Sequence, residues 1–170
     1  MKKNLLVLSV LLLAGYISLA QKSPSDKVYP KIMGYASVIH TIVTFDKNGS
    51  SFNFSNGYTV GFPMGINVLK SDKIGFSFEI VPFIKVQKDT SKVNNVVFHP
   101  GVMFRFKHGF TFITRLAFET SGRYGVTPIF NQVLFRAKNI NYFAALSTPF
   151  RAGNQKPVSI GLALQLGISF

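Results

Sequence analysis

The sequence predicts an all-β fold, an eight-stranded antiparallel up-and-down transmembrane β-barrel. Long segments alternate between apolar and small or polar residues, and a period of two indicates extended strands. These segments exceed the usual strand length of about 5 to 6 residues and reach the about 9 to 11 residues that cross a bilayer. The connections between them alternate between long and short, as in barrels with tight turns on one side of the membrane and longer loops on the other.

The first twenty residues have the pattern of a cleaved signal peptide. Lys2 and Lys3 precede the apolar stretch Leu5–Ala14, and Ser18-Leu19-Ala20 places small residues before a cleavage site. An uncleaved anchor helix is the alternative. Residues 21–30 are then expected to form a periplasmic N-terminal segment and residues 31–170 the barrel, because no later apolar run approaches the about 18 to 20 residues of a spanning helix.

Eight segments are expected to be strands, in chain order Lys31–Asp46, Gly57–Leu69, Ile74–Gln87, Asn95–Lys107, Gly109–Glu119, Gly125–Arg136, Asn139–Phe150 and Val158–Phe170. The second to fifth segments and the last alternate regularly, whereas the first and sixth are less regular and predict no register. The segments are long because each must cross the bilayer at a tilt.

The connections predict which ends of the strands share a side. Four are long, at Asp46–Asn56, Lys88–Asn94, Thr120–Tyr124 and Arg151–Pro157, and three are short, at Lys70–Lys73, His108 and Ala137–Lys138. An even number of strands returns the chain to its starting side. The two termini are therefore expected on the side of the short turns, which is the periplasmic side in such barrels.

Composition decides which strand face is expected inside. Charged residues make up 15% of the chain, against about 25% in soluble domains, and phenylalanine occurs 18 times. A soluble barrel would hide the Phe-rich faces and leave too few charges on its surface. The apolar faces are therefore expected to contact lipid, with small and polar residues filling the narrow lumen that eight strands enclose.

The last strand carries the most specific pattern, with apolar residues at Leu162, Leu164, Leu166, Ile168 and the terminal Phe170. With this strand the chain resembles the small outer-membrane β-barrel proteins of Gram-negative bacteria, of the OmpA/OmpX-like or PorT-like kind. The resemblance implies an outer-membrane location and a C-terminal signal read by the barrel-assembly machinery. It implies contact with outer-membrane lipids and lipopolysaccharide, but no activity, because this architecture hosts many functions.

Charged residues on the predicted inner faces are the candidate site. Glu79, Arg105, Arg115, Glu119 and His99 are expected to form a polar network in the lumen, with His40 as a further inward candidate. A charge at membrane depth is a functional hypothesis by default. The structural alternative is favoured here, because opposite charges on neighbouring strands can satisfy one another and plug the lumen.

No catalytic, cofactor or metal site is expected. The chain has no cysteine, and its three histidines lie on separate segments without ligand spacing. The His-x-Ser motif of outer-membrane lipid A deacylases is absent, because Ile42, Gly101 and Phe110 stand two residues after the histidines. Pro24 and Pro30 exclude the N-terminal helix of the palmitoyltransferase barrels. Nucleic acid is not an expected partner, and the sequence identifies no external partner.

The sequence therefore favours a non-enzymatic integral outer-membrane barrel with a structural or interaction role. An outer-leaflet lipid-modifying enzyme and a periplasmic lipocalin-like ligand-binding barrel are the alternatives. Pro63, Pro82 and Pro100 lie at similar depth on adjacent predicted strands, where proline cannot donate to the ladder. They suggest either ordinary bulging near the rim or a lateral notch in the wall.

Overall fold

The computed structural model of the chain describes residues 28–55, 57–88 and 90–170. The expected signal peptide and residues 21–27 of the N-terminal segment lie outside the described residues. The strands are β1 (Lys31–Asp46), β2 (Gly49–Phe52), β3 (Tyr58–Gly61), β4 (Met64–Leu69), β5 (Ile74–Gln87), β6 (Thr90–Arg105), β7 (Phe110–Glu119), β8 (Tyr124–Arg136), β9 (Asn141–Ser147), β10 (Phe150–Ala152) and β11 (Ser159–Ser169). Among the described residues, no helix has the length and apolar character needed to cross a membrane.

All eleven strands belong to one antiparallel sheet that closes on itself. From β4 to β9 each strand pairs with the next one along the chain, and β11 returns to pair with β1, from Tyr35 opposite Ser169 to Asp46 opposite Ser159. On its other side β1 pairs with β2, β3 and β4. Closure gives the first and last strands partners on both sides, as lipid-exposed strands require.

The strand count differs from the predicted eight because two predicted strands are interrupted at proline. The second is divided into β3 and β4 at Phe62 and Pro63, and the seventh into β9 and β10 at Thr148 and Pro149. Proline has no N–H to donate to the ladder, so regular pairing stops there. The remaining extra strand, β2, lies in a predicted loop and extends the hairpin from β1.

Carbonyl oxygens of the in-strand prolines bridge these interruptions. Backbone N–H groups donate from Ser37 to Pro63, from Phe62 to Pro82, from Thr148 to Pro128 and from Gly161 to Pro149, at 2.8–3.0 Å. Around Pro100 the β6–β7 pairing skips from Phe98 to Gly101. The bonds at Pro63 and Pro82 hold adjacent strands together, which favours ordinary bulging there over a lateral notch.

One predicted loop is wrong. Residues Lys88–Asn94 were expected to be a long connection, but β6 begins inside it at Thr90 and pairs with β5 as far as Gln87 opposite Thr90. Lys88 takes a left-handed conformation (φ 52°) that allows the tight reversal. The run of Lys, Ser and Asn concealed an extended hairpin, because its polar residues lack an apolar alternation. Register shifts occur in β1 and β8, the two strands for which the sequence predicted no register, and also between β5 and β6, where Phe83 pairs with Asn95 and Ile84 with Val93.

Burial confirms the predicted orientation of the strand faces. In β11, Leu164 and Leu166 are 40% and 52% exposed, whereas Ala163 and Gln165 are 2% and 3% exposed. The lumen also contains an apolar cluster that the sequence analysis did not anticipate, formed by Tyr35, Leu69, Met103, Ile113, Ile129, Phe143 and Ala145. These larger side chains fill space that glycine, alanine and serine alone would leave empty.

Candidate functional site

A connected set of polar side chains crosses the middle of the lumen. We call it the luminal polar network, and it consists of Tyr35, Ser77, Glu79, His99, Arg115, Glu119, Thr127 and Arg151. Its members come from β1, β5, β6, β7, β8 and β10. Successive side chains of a strand face opposite sides of the sheet. The network residues occupy the positions that face the lumen, and the positions between them are mostly apolar and face outward.

Glu79 is the centre of the network and is 3% exposed. Its Oε1 contacts Nη1 of Arg115 at 2.9 Å and Nδ1 of His99 at 3.0 Å. Its Oε2 accepts a hydrogen bond from the Tyr35 hydroxyl at 2.9 Å. Three donors thus satisfy a carboxylate that would otherwise carry a large cost for removal from water.

Arg115 is held from three directions. Its Nη2 donates to the Tyr35 hydroxyl at 2.9 Å and to Ser77 Oγ at 2.8 Å, while Nη1 faces Glu79. Gly101 lies opposite Arg115 in the β6–β7 ladder, and a Cβ at Gly101 would come within 2.6 Å of Arg115 Cγ. The missing side chain at Gly101 therefore makes room for the arginine to enter the lumen.

His99 joins the two ion pairs of the network. Because a carboxylate only accepts hydrogen bonds, Nδ1 of His99 must donate to Glu79. Nε2 lies 3.1 Å from Nη2 of Arg151, which can only donate, so Nε2 is the unprotonated acceptor. The ring is therefore a neutral imidazole with its proton on Nδ1, and its orientation is fixed from both sides.

Glu119 and Arg151 form the second ion pair, with Nε of Arg151 at 2.7 Å from Oε1 of Glu119. Asn95 Nδ2 and the Ser121 hydroxyl donate to the other carboxylate oxygen, each at 2.8 Å. Arg151 also donates to Thr127 Oγ1 at 2.9 Å. With a neutral histidine, the two carboxylates and two guanidinium groups of the network balance to zero net charge.

The structure brings four of the five predicted network residues together and separates the fifth. Glu79, Arg115 and His99 are in direct contact, and Glu119 joins them through Arg151. Arg105 was expected in the same network, but it lies six residues beyond His99 on β6, about 20 Å at the usual strand rise. His40 pairs on the outer face with Tyr58 rather than inside.

Sequence reasoning missed four members of the network. Arg151 was placed in a loop, because the seventh predicted strand ended one residue before it, at Phe150. Tyr35, Ser77 and Thr127 are uncharged and were not singled out, although all three are buried on the inner side of their strands. Extending the seventh predicted strand by one residue with the same alternation would have placed Arg151 inside.

The polar groups of this network are paired with one another, which leaves none of its charges available for a ligand. Each ionised group in the network faces an opposite charge, and the histidine has both nitrogens occupied. Among residues 28–55, 57–88 and 90–170, no group of three His, Asp or Glu side chains converges as a metal site would require. A saturated and charge-balanced network rigidifies its surroundings and holds neighbouring strands in register.

Comparison with solved structures places this geometry in a known fold. A designed protein, described as "De novo design of transmembrane beta-barrels", superposes with a TM-score of 0.52 over 86% of this chain and 98% of that chain. The fold is that of a transmembrane β-barrel. At 10% sequence identity the likeness concerns the fold alone. No protein-family model matches the chain, and no curated protein matches it either.

Proposed function

We propose that this chain is an integral outer-membrane barrel with a sealed lumen, acting in a structural or interaction role rather than as an enzyme. The observation that carries the proposal is the inverted distribution of side chains around a closed sheet. Leu146 and Leu164 are 41% and 40% exposed on the outside, whereas Glu79 and Arg115 are each 3% exposed inside. Water would favour the reverse arrangement, and hydrocarbon favours this one.

Aromatic residues at both ends of the outer wall support a membrane location. Near the short turns, the ring centroids of Phe106 and Phe110 lie 5.5 Å apart. At the opposite end, Phe54 and Tyr58 stack with centroids 5.0 Å apart. Girdles of aromatic side chains mark the two interfaces of outer-membrane barrels.

In this proposal the wall has eight spanning strands. β3 with β4 and β9 with β10 each form one interrupted spanning strand, and β2 extends beyond the wall as part of a loop. The even count leaves Lys31 and Phe170 at the same end, close enough for Phe170 to exchange backbone hydrogen bonds of 2.9 Å with Gly34. We assign this end to the periplasm because it carries the short turns.

The luminal polar network is the reason for proposing a sealed barrel rather than a pore. It links side chains from six strands across the lumen, so ion pairs lie in the path that a solute would have to take. The exposed lysines at the opposite end, Lys47, Lys88 and Lys92, supply positive charge for the phosphates of lipopolysaccharide. The C-terminal strand would be the segment that the barrel-assembly machinery recognises.

Fractionation of cells that express the full chain tests the membrane proposal. The protein should stay with the outer membrane after carbonate washing, require detergent for release and change its gel mobility on heating. Release into the soluble fraction without detergent would favour the lipocalin-like alternative and overturn the proposal.

Two further measurements separate the sealed barrel from its rivals. In planar bilayers the purified protein should give no stable conductance steps, and steady channels would contradict the sealed lumen. Mass spectra of lipid A from strains with and without the protein should be identical. A change in acyl chains would identify a lipid-modifying enzyme instead.

A further inference from the structure

The lumen contains a chamber on the side of the short turns. It has a volume of about 210 Å³ and is closed toward the middle of the barrel by Tyr35 and Arg115 of the luminal polar network. Its other end reaches Arg136 and Asn141, which border the turn between β8 and β9. The network therefore divides the lumen, and the chamber is a pocket that ends at the seal.

Apolar side chains form a continuous part of the chamber wall, which also has polar lining residues. It is lined by Met33, Met103, Ile113, Ile129, Val133 and Phe143. Methionine side chains are flexible and polarisable, and they adapt to the shape of an apolar ligand.

Two guanidinium groups stand in the chamber without an ion-pair partner. Arg105 and Arg136 both line it, and in the described part of the chain neither forms a salt bridge. Asp72, a carboxylate near the same opening, accepts a hydrogen bond from Tyr29. The opening therefore presents two available cations that can bind a carboxylate through paired hydrogen bonds.

Asn67 provides an independent sign of a ligand. It is 9% exposed and lines the chamber, and its Oδ1 has no hydrogen-bond partner among the described residues. A buried polar atom left unpaired is costly, and native proteins rarely keep one without a reason. Its Nδ2 can donate to a carboxylate, whereas its Oδ1 can only accept, so Oδ1 would pair with a water or with a donor group of a ligand.

We infer that the chamber binds an alkyl carboxylate, with the alkyl chain against the apolar wall and the carboxylate at Arg105 and Arg136. The two guanidinium groups at the opening favour binding of an anion, and the apolar side chains of the wall favour contact with a hydrocarbon chain. A volume of about 210 Å³ suits a short alkyl chain rather than a phospholipid with two long acyl chains. This site goes beyond the proposed function, since a sealed barrel needs no ligand.

Calorimetry on the full chain in phospholipid nanodiscs tests the site, with empty nanodiscs subtracted as background. Butanoate, hexanoate and octanoate should bind with affinity rising about fourfold per added methylene until the chamber is full. Octanol and octyltrimethylammonium, which lack the carboxylate, should bind at least tenfold more weakly than octanoate. Equal binding of octanol and octanoate, or no binding of any acid, would overturn the inference.

Variants locate the binding. R105Q together with R136Q should weaken octanoate binding at least tenfold, whereas the matched control K107Q with K138Q removes two nearby cations outside the chamber and should change it less than twofold. Ala145 is 3% exposed and lines the chamber, so Ala145→Phe should fill the space and abolish binding. Unchanged affinity in either test variant would overturn the site.

Heat-dependent gel mobility of each variant verifies that it is folded, so loss of binding is not confused with loss of structure. The outcome also separates this inference from the proposed function. If the barrel is folded and inserted in the membrane but does not bind octanoate, only the proposed carboxylate site is overturned. A chain that never enters the membrane overturns the proposed function.

Discussion

Replacing Glu79 by glutamine removes one charge from the centre of the luminal polar network while it keeps the side-chain volume. Glu79 accepts from Arg115, His99 and Tyr35 at 2.9–3.0 Å. An amide offers one accepting oxygen in place of two and presents its own N–H groups to these donors. Arg115, which is 3% exposed, would keep its charge without the compensating carboxylate.

We expect E79Q to lower the free energy of unfolding by about 3–5 kcal/mol, the usual cost of breaking a buried ion pair from one side. The matched control is D46N, because Asp46 is exposed and its carboxylate accepts from the Asn48 backbone N–H. That change should stay within about 0.5 kcal/mol. The double variant of E79Q with Arg115→Met should lose less than the sum of the single losses, by about 1–3 kcal/mol.

Urea unfolding of the protein in lipid vesicles gives these free energies. The chain has no tryptophan, so the folded fraction is best followed by heat-dependent gel mobility and far-UV circular dichroism. If E79Q cost less than about 1 kcal/mol, or if the two substitutions were additive, the network would not be the tightly coupled, water-excluding seal described above.

Three further changes test the wall and its closure. Leu146→Arg places a charge on the outer face between Phe130 and Leu164, and in lipid vesicles it should cost about 2–4 kcal/mol, whereas a water-exposed face would show almost no change. Gly101→Val should destabilise the barrel by at least about 2 kcal/mol in urea unfolding, because the added atoms meet Arg115; a neutral result would contradict the packing at that site. Phe170→Ala should reduce the amount of folded protein in the outer membrane of expressing cells, and unchanged levels would argue against a C-terminal assembly signal.

The positions of the strands and the orientation of their two faces could be predicted from the sequence, because both depend on the alternation of apolar and polar residues along the chain. The β1 and β5 boundaries agree with the predicted segments, and the predicted inner and outer faces of β11 agree with burial from Ser159 to Leu166. A side chain's face is fixed by its parity alone, so no partner strand needs to be known. Prolines and polar hairpins obscured this pattern, which is why β3 and β4 were read as one strand and the β5–β6 hairpin was read as too short.

The sequence did not predict which polar residues are in contact, because contact depends on the register between strands. Glu79 and Arg105 both face inward, yet the ladder sets Glu79 opposite His99 and leaves Arg105 near the short turns. Arg151 reaches His99 only because β10 pairs with β8 and β11 after the proline break.

The sequence by itself determined that the strands alternate and that each has an apolar face suited to contact with lipid. Hydrophobic periodicity is a property of neighbouring residues and needs no knowledge of the tertiary structure. The tertiary structure alone decided the charge pairs and the chamber below them. Those features combine side chains that are far apart in the chain, such as Tyr35 and Arg115 at 80 positions, whose contact depends on how a closed sheet staggers its strands.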